Sequence, residues 1–194
     1  IIDAAREREA NLLLLGWPGY TQSKGQAFGS IIDLMTTHPP CDLAVVRLRR
    51  TGLPNRILVP IAGGPNARLA IELAITEADA IEQRTGARPE VVALNLILGS
   101  SDDGDAHKKQ RRLDLLEELQ TEKWPLELHL IPADNVVEGI LQEAADFDQI
   151  IIGASEERLL EQSLFGSIPQ RVAEEALATV IMVKRHDLVR FGLW

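Results

Sequence analysis

The chain of 194 residues is 45% hydrophobic, and its formal net charge is −9. That apolar share suffices for a globular core, while the acidic balance excludes nonspecific nucleic-acid binding, which needs a basic face. One cysteine, Cys41, permits no internal disulfide and suits a reducing compartment, and no apolar run approaches the ~18 residues of a membrane span, so a cytoplasmic location is expected.

In chain order, Ile1–Glu9 reads as a helix, Asn11–Gly16 as an apolar strand, Ser30–Thr37 as a helix and Asp42–Leu48 as a strand. Arg49–Asn55, with Gly52 and Pro54, reads as a linker. Arg56–Ala62 is then a buried-strand pattern. Ala67–Gln83 reads as a helix with Ile71, Ala74, Ala78 and Ile81 on one face, closed by Gly86, which is free to turn left-handed. Glu90–Leu98 is a near-continuous apolar strand, as in parallel sheets covered on both faces. Asp105–Lys123 reads as a charged helix turning Leu113, Leu116 and Leu119 inward. Leu126–Ile131 follows as a strand, and Asn135–Asp146 as a helix bearing Val137, Ile140, Leu141 and Ala144. Gln149–Ala154, Ser167–Leu177 and Thr179–Lys184 complete the series as strand, helix and strand.

This alternation over residues 54–187 predicts an α/β domain with a five-stranded, parallel, doubly wound sheet. Residues 1–50 carry only the closing part of the same series. They are expected to be the C-terminal half of a first copy, cut inside it, with a native appendage as the alternative. Strand 11–16 would then lack the neighbour that covers it, and an open apolar edge predicts a homodimer or domain exchange.

The two parts also share a residue pattern. Gly16-Trp-Pro-Gly19 is followed after nine residues by Gly29-Ser30, and Gly153-Ala-Ser-Glu156 after nine by Gly166-Ser167. Each copy follows an apolar run and precedes a helix. A strand, a glycine-bounded loop and a helix N-terminus can hold phosphates. Small residues let backbone N–H groups reach phosphate oxygens, and the helix dipole contributes about 0.3–1 kcal/mol. Ser30 and Ser167 equally suit N-cap positions, a role that needs no ligand.

This arrangement resembles the universal stress protein family, whose signature is G-x2-G-x9-G-[S/T] at the fourth strand of a five-stranded domain. The first copy matches in full, at Gly16, Gly19, Gly29 and Ser30; the second keeps Gly153, Gly166 and Ser167 but has Glu156 in place of a glycine. His38-Pro-Pro-Cys-Asp-Leu-Ala-Val-Val-Arg47 resembles the family's closing segment, and Arg56-Ile-Leu-Val-Pro-Ile-Ala62 its opening strand, usually V-P-x-D. The resemblance runs from Ile1 to about Arg185.

The resemblance implies an adenine-nucleotide fold with ATP as cofactor, the V-P-x-D aspartate meeting the adenosine portion and the glycine loop the phosphates. It also implies a tandem repeat paired edge to edge through the last strands, Asp42–Leu48 and Thr179–Lys184, as one extended sheet. Tandem domains of this kind follow the membrane part of some prokaryotic amino-acid permeases, cation–chloride cotransporters and antiporters. The implied partner is therefore the remainder of a longer parent protein, such as a transmembrane transporter domain at the cytosolic face of the inner membrane.

Neither copy is complete. The first has no opening strand to receive a base; the second has Ala62 in place of the aspartate and Glu156 in its loop. A carboxylate ~5 Å from a phosphate charge costs about 3 kcal/mol per unit charge at an effective dielectric of ~20, more than the dipole returns. The second site is expected to bind triphosphate weakly or not at all, so no nucleotide is expected on this chain. The first loop, Pro18 to Phe28, carries Lys24 and no acid, whereas Glu156 to Phe165 carries Glu156, Glu157 and Glu161 against Arg158.

Other chemistry is thin. His38, His107, His129 and His186 show no metal-ligand spacing, and Cys41 does not join them, so no metal site is expected. His129 alternates with Leu128 and Leu130 and is expected to point away from that strand's apolar face. Ala62-Gly-Gly-Pro-Asn66 is faintly similar to the S-G-G-x-D-S loop of pyrophosphatase-type ATP enzymes, but lacks both serines and the aspartate. The run Lys108–Arg112 decorates a charged helix. The tail 188–194 is apolar and aromatic, suited to docking on its own domain or on another domain or membrane surface. With no nucleophile or general base in view, no catalytic residue is expected. The sequence favours a regulatory or interaction module over a soluble ATP-binding sensor, and both over an ATP-using enzyme.

Overall fold

The computed structural model describes residues 1–17, 32, 39–98, 106–121, 124–155 and 165–186. Within them the order is α1 (Ile2–Glu7), β1 (Leu12–Gly16), β2 (Asp42–Arg47), β3 (Arg56–Pro60), α2 (Pro65–Thr85), β4 (Glu90–Leu98), α3 (Ala106–Thr121), β5 (Glu127–Ala133), α4 (Val136–Glu143), β6 (Gln149–Gly153), α5 (Ser167–Glu175) and β7 (Thr179–Lys184). A short 3-10 turn, Ala144–Asp146, extends α4 to the expected end at 146.

Local chemistry sets several boundaries. Pro65 opens α2, where its fixed φ suits the first helical position and its missing N–H costs nothing. Gly86 closes that helix at φ 78°, donating its N–H to Glu82 O. Asn135 caps α4, its side-chain oxygen accepting the N–H groups of Val137 at 2.9 Å and Glu138 at 3.2 Å.

The strands form one seven-stranded sheet in the order β1-β2-β7-β6-β3-β4-β5. The five strands expected over 54–187 are parallel, and β1 and β2 extend the same sheet to seven strands. The expected pairing of the last strands forms: β2 runs antiparallel to β7, from Leu43 opposite Lys184 to Arg47 opposite Val180.

Alternate side chains feed two cores. Ile57, Val59, Val91, Ala93, Ile151 and Ile181 pack under Ile71, Ala74 and Ala78 of α2 and Leu115 and Leu119 of α3. Leu58, Val92, Leu94, Ile150, Ile152 and Met182 pack on the other face under Val137 and Ile140 of α4 and Val172 of α5. Helices thus cover both faces, as parallel strands require.

The α3 face differs from the expectation. Leu115 and Leu119 are buried, whereas Leu113 is half exposed. The i, i+4 pair 115/119, with Leu116 alongside, makes the tighter stripe, and Leu113 falls outside it. His129 points away from the Leu128 face, as expected. It sits beside Leu94 in register, with Nδ1 3.2 Å from Glu143 on α4.

The 49–56 segment is fastened by two side chains. Thr179 Oγ1 accepts the backbone N–H groups of Arg49 at 3.1 Å and Arg50 at 3.2 Å. Asp148 accepts those of Asn55 at 2.9 Å and Arg56 at 3.2 Å, and pairs with the Arg50 guanidinium at 2.9 Å.

Candidate functional site

Strands β3 and β6 are parallel neighbours whose chains leave toward opposite faces, β3 into α2 and β6 toward α5. Such a divergence at the carboxyl ends opens the crevice where doubly wound sheets take ligands. The residues that build it here are Ile61–Asn66 after β3 and Gly153–Ser155 after β6.

Two glycines on the β3 side have left-handed backbones, Gly63 at φ 90° and Gly64 at φ 83°. A Cβ on Gly63 would lie 2.6 Å from the backbone nitrogen of Arg112, so α3 presses directly on this turn. Ala62, which stands where the resemblance noted above would place an aspartate, is exposed. It presents a methyl group and no acceptor.

Gly153 ends β6 beneath the first turn of α2. A Cβ there would meet the backbone carbon and oxygen of Asn66 at 2.7 Å, so only glycine permits the approach. The Asn66 side chain then ties three elements together. Its Nδ2 donates to Ala154 O at 2.9 Å, and its Oδ1 accepts the N–H of Arg185, just past β7, at 2.9 Å.

Gly166, at φ 86°, is the N-cap of α5 and makes no side-chain cap. A Cβ on it would fall 1.6 Å from Ser155 Oγ. Ser155 closes the loop's base, its N–H and its hydroxyl both donating to Phe165 O, at 2.8 and 3.3 Å. The structure therefore draws the Gly153 and Gly166 positions together around Ser155. Ser167 is the first residue of α5 and exposed, not its N-cap as the sequence suggested; the left-handed backbone at the boundary position selects glycine.

Gly16, by contrast, ends β1, which runs opposite to β6 because β2 and β7 are antiparallel. It lies level with Ile181 and Ile151, its chain leaves in the opposite direction, and a Cβ there would meet nothing within 4 Å. Of the first motif, the described residues include Gly16 alone, three strands from Gly153. Gly19, Gly29, Ser30, Lys24, His38, Glu156 and the tail 188–194 lie outside the described residues.

Asn66 and Ser155 were not singled out from the sequence. Asn66 stood in the Gly-Gly-Pro-Asn run, and its place in the opening turn of a helix is the only local signal it carries. A groove of about 460 Å³ runs along β5 and α4, but its lining of Asp134, Glu138 and Glu143 suits no anion. Cys41 is buried and free, and burial followed by the neighbouring Asp42 charge pushes its thiol pKa up. Among the described residues no cluster of histidine, cysteine or carboxylate side chains could hold a metal ion. No helix among them is long and apolar enough to cross a membrane.

The model of the universal stress protein family matches residues 54–184, which hold β3 to β7 and the crevice just described. The chain belongs to the universal stress protein family. A universal stress protein from Archaeoglobus fulgidus has a similar structure, with a TM-score of 0.61 and 19% identity, over 96% of this chain and 64% of that one. A putative universal stress protein from Pseudomonas aeruginosa gives 0.56 and 16%, over 95% and 66%. The protein UspA from Lactobacillus plantarum gives 0.50 and 20%, over 66% and 97%. The chain thus spans about two thirds of the first two relatives. No curated protein sequence matches it.

Proposed function

We propose that this universal stress protein domain is a regulatory and interaction module with a degenerate nucleotide crevice, and not an enzyme. The observation that carries the reading is Ala62. The crevice keeps the motif glycines 153 and 166, yet the segment after β3 presents a methyl group where the family's strand brings an aspartate. The scaffold for an adenine nucleotide is present without the carboxylate that would fix the adenosine portion.

An interaction role draws support from the other end of the sheet. Strand β1 is terminal, and Leu14 on it is 60% exposed. Paired edge to edge with a second copy, that strand would gain the neighbour it lacks among the described residues. The family resemblance extends the proposal to a tandem repeat on the cytosolic side of a membrane transporter. Repeated apolar runs of about 20 residues encoded in the same gene would support that attachment, and a gene without them would remove it.

Calorimetric titration with ATP and Mg²⁺ tests the crevice. No heat up to about millimolar nucleotide is expected. A dissociation constant at or below the micromolar range would overturn the degenerate reading. It would favour the alternative, a soluble nucleotide-responsive sensor, which rests on the complete spacing of Gly16, Gly19, Gly29 and Ser30.

A further inference from the structure

Helix α5 begins at the second glycine motif and ends where the first fifty residues meet the domain. The last four carbonyls of a helix have no partner within it, and here three of them can be followed. Val172 O accepts the N–H of Ala176 at 2.9 Å. Ala173 O accepts Arg47 Nη1 at 2.5 Å, and Glu174 O accepts Arg49 Nη2 at 3.0 Å. Both arginines come from the β2 side of the antiparallel junction, outside the matched region 54–184.

Arg47 continues the chain of contacts. Its guanidinium carbon lies 5.2 Å from the centroid of the Trp17 ring. Trp17 is buried, donates its backbone N–H to Val46 O at 2.7 Å, and directly follows Gly16 of the first glycine motif. At ~1.5 Å per residue, a helix of this length spans about 13 Å. That carries it from the carboxyl end of β6 toward the level of Trp17.

We infer that α5 couples the two glycine motifs, with Arg47 and Arg49 as its clamp. A helix of nine residues is marginal alone and depends on packing and caps. Cationic donors on its final carbonyls oppose the negative end of its dipole as well as satisfying it. When β2 lies on β7, α5 is closed at its C-terminus and the turn at Gly166 has an anchored helix behind it. When a partner displaces the 1–50 segment, two caps leave together and α5 loosens toward Ser167. The state of the junction is thereby read at the crevice, whether or not a nucleotide occupies it.

Hydrogen exchange followed by mass spectrometry on the intact chain tests this. In Arg47→Ala, amides over 167–176 should exchange about tenfold faster or more, while those of β4 keep the parent rate. Arg49→Ala should act in the same place and more weakly. Arg47→Lys, which keeps a cationic donor, should restore part of the protection. Trp17→Phe, which leaves a ring under the guanidinium, should protect α5 better than Trp17→Leu. Parent exchange over 167–176 in both Arg47→Lys and Arg49→Ala, with Arg47→Ala either at the parent rate or unfolded, would overturn the clamp. So would acceleration equal in β4 and α5. Equal α5 exchange in the two Trp17 variants would remove the first motif from the coupling.

Discussion

Asn66 Oδ1 accepts the backbone N–H of Arg185 at 2.9 Å, across 119 positions of sequence. The same side chain donates from Nδ2 to Ala154 O at 2.9 Å, so one amide holds the opening of α2 against the ends of β6 and β7. Asn66→Ala leaves a half-buried N–H and a carbonyl without these partners, and should cost about 1–3 kcal/mol in urea unfolding, with the m-value unchanged. Asn66→Asp keeps the acceptor for Arg185 but turns an oxygen toward Ala154 O, so it should fall at or below the alanine variant in stability. A loss under ~0.5 kcal/mol in both would mean that water replaces the amide without penalty.

The antiparallel junction makes a second demand. Val45 opposite Met182 and Val183 opposite Ala44 are all fully buried, with Val45 in one core and Val183 in the other. A carboxylate at either position would enter a closed apolar core, so Val45→Asp or Val183→Asp should lose on the order of 3–5 kcal/mol, or release the 1–50 segment and enlarge the hydrodynamic radius. Leu48→Asp, at a position 68% exposed one residue beyond β2, is the control and should stay within about 0.5 kcal/mol of the parent. Parent stability and compactness in both valine variants would contradict the junction.

The elements were legible where a local pattern had one solution. The runs at 56–60, 90–98, 149–153 and 179–184 contain few polar residues, and Ile71, Ala74, Ala78 and Ile81 fall on one helical stripe. Helix α3 offered four leucines between 113 and 119, which fit two overlapping stripes, and the packing partner chose between them. At the start of α5, Ser167 suggests an N-cap, while the left-handed backbone of the boundary position belongs to Gly166, one residue earlier. Asn66 was illegible for a different reason: its partners lie 88 and 119 positions away, and only the finished sheet brings them together.

Two carboxylates should shape the pH dependence of stability in opposite senses. The Asn55 backbone N–H first, then that of Arg56 and the Arg50 side chain, hold Asp148 below the usual aspartate range. Its contribution is complete above about pH 4 and is lost as pH falls through the lowered folded-state value. Glu77 is the reverse, since burial raises its pKa and the bond from Gln149 only partly offsets that. Its relative stabilisation is present below about pH 4 and is lost as pH rises through the raised value. Unfolding at pH 7 and pH 3 separates them. Asp148→Asn should cost roughly 2 kcal/mol at pH 7 and less at pH 3. Glu77→Gln should be more stable than the parent at pH 7 and no more stable at pH 3. The same pH response in both variants would mean that neither carboxylate drives the profile.

The degenerate crevice should be repairable if its losses are the ones named. Ala62→Asp returns a directional acceptor beside Gly63 and Gly64, at an exposed position where folding loses little. Glu156→Gly removes a charge from the loop that Ser155 and Phe165 close. At ~5 Å and an effective dielectric of ~20 that charge costs about 3 kcal/mol, and half of it after screening still amounts to tenfold in affinity. Titration of Mg-ATP should find little binding in Ala62→Asp alone, a modest gain in Glu156→Gly, and the largest gain in the double variant. The two changes act on opposite ends of one ligand, so their free energies should add to within about 0.5 kcal/mol. If the double variant binds no better than the parent, the missing carboxylate and the added one are not what silences the site. The tie from Asn66 across the ends of β6 and β7 would then be the next feature to open, and Asn66→Ala in the repaired background would be the variant to titrate.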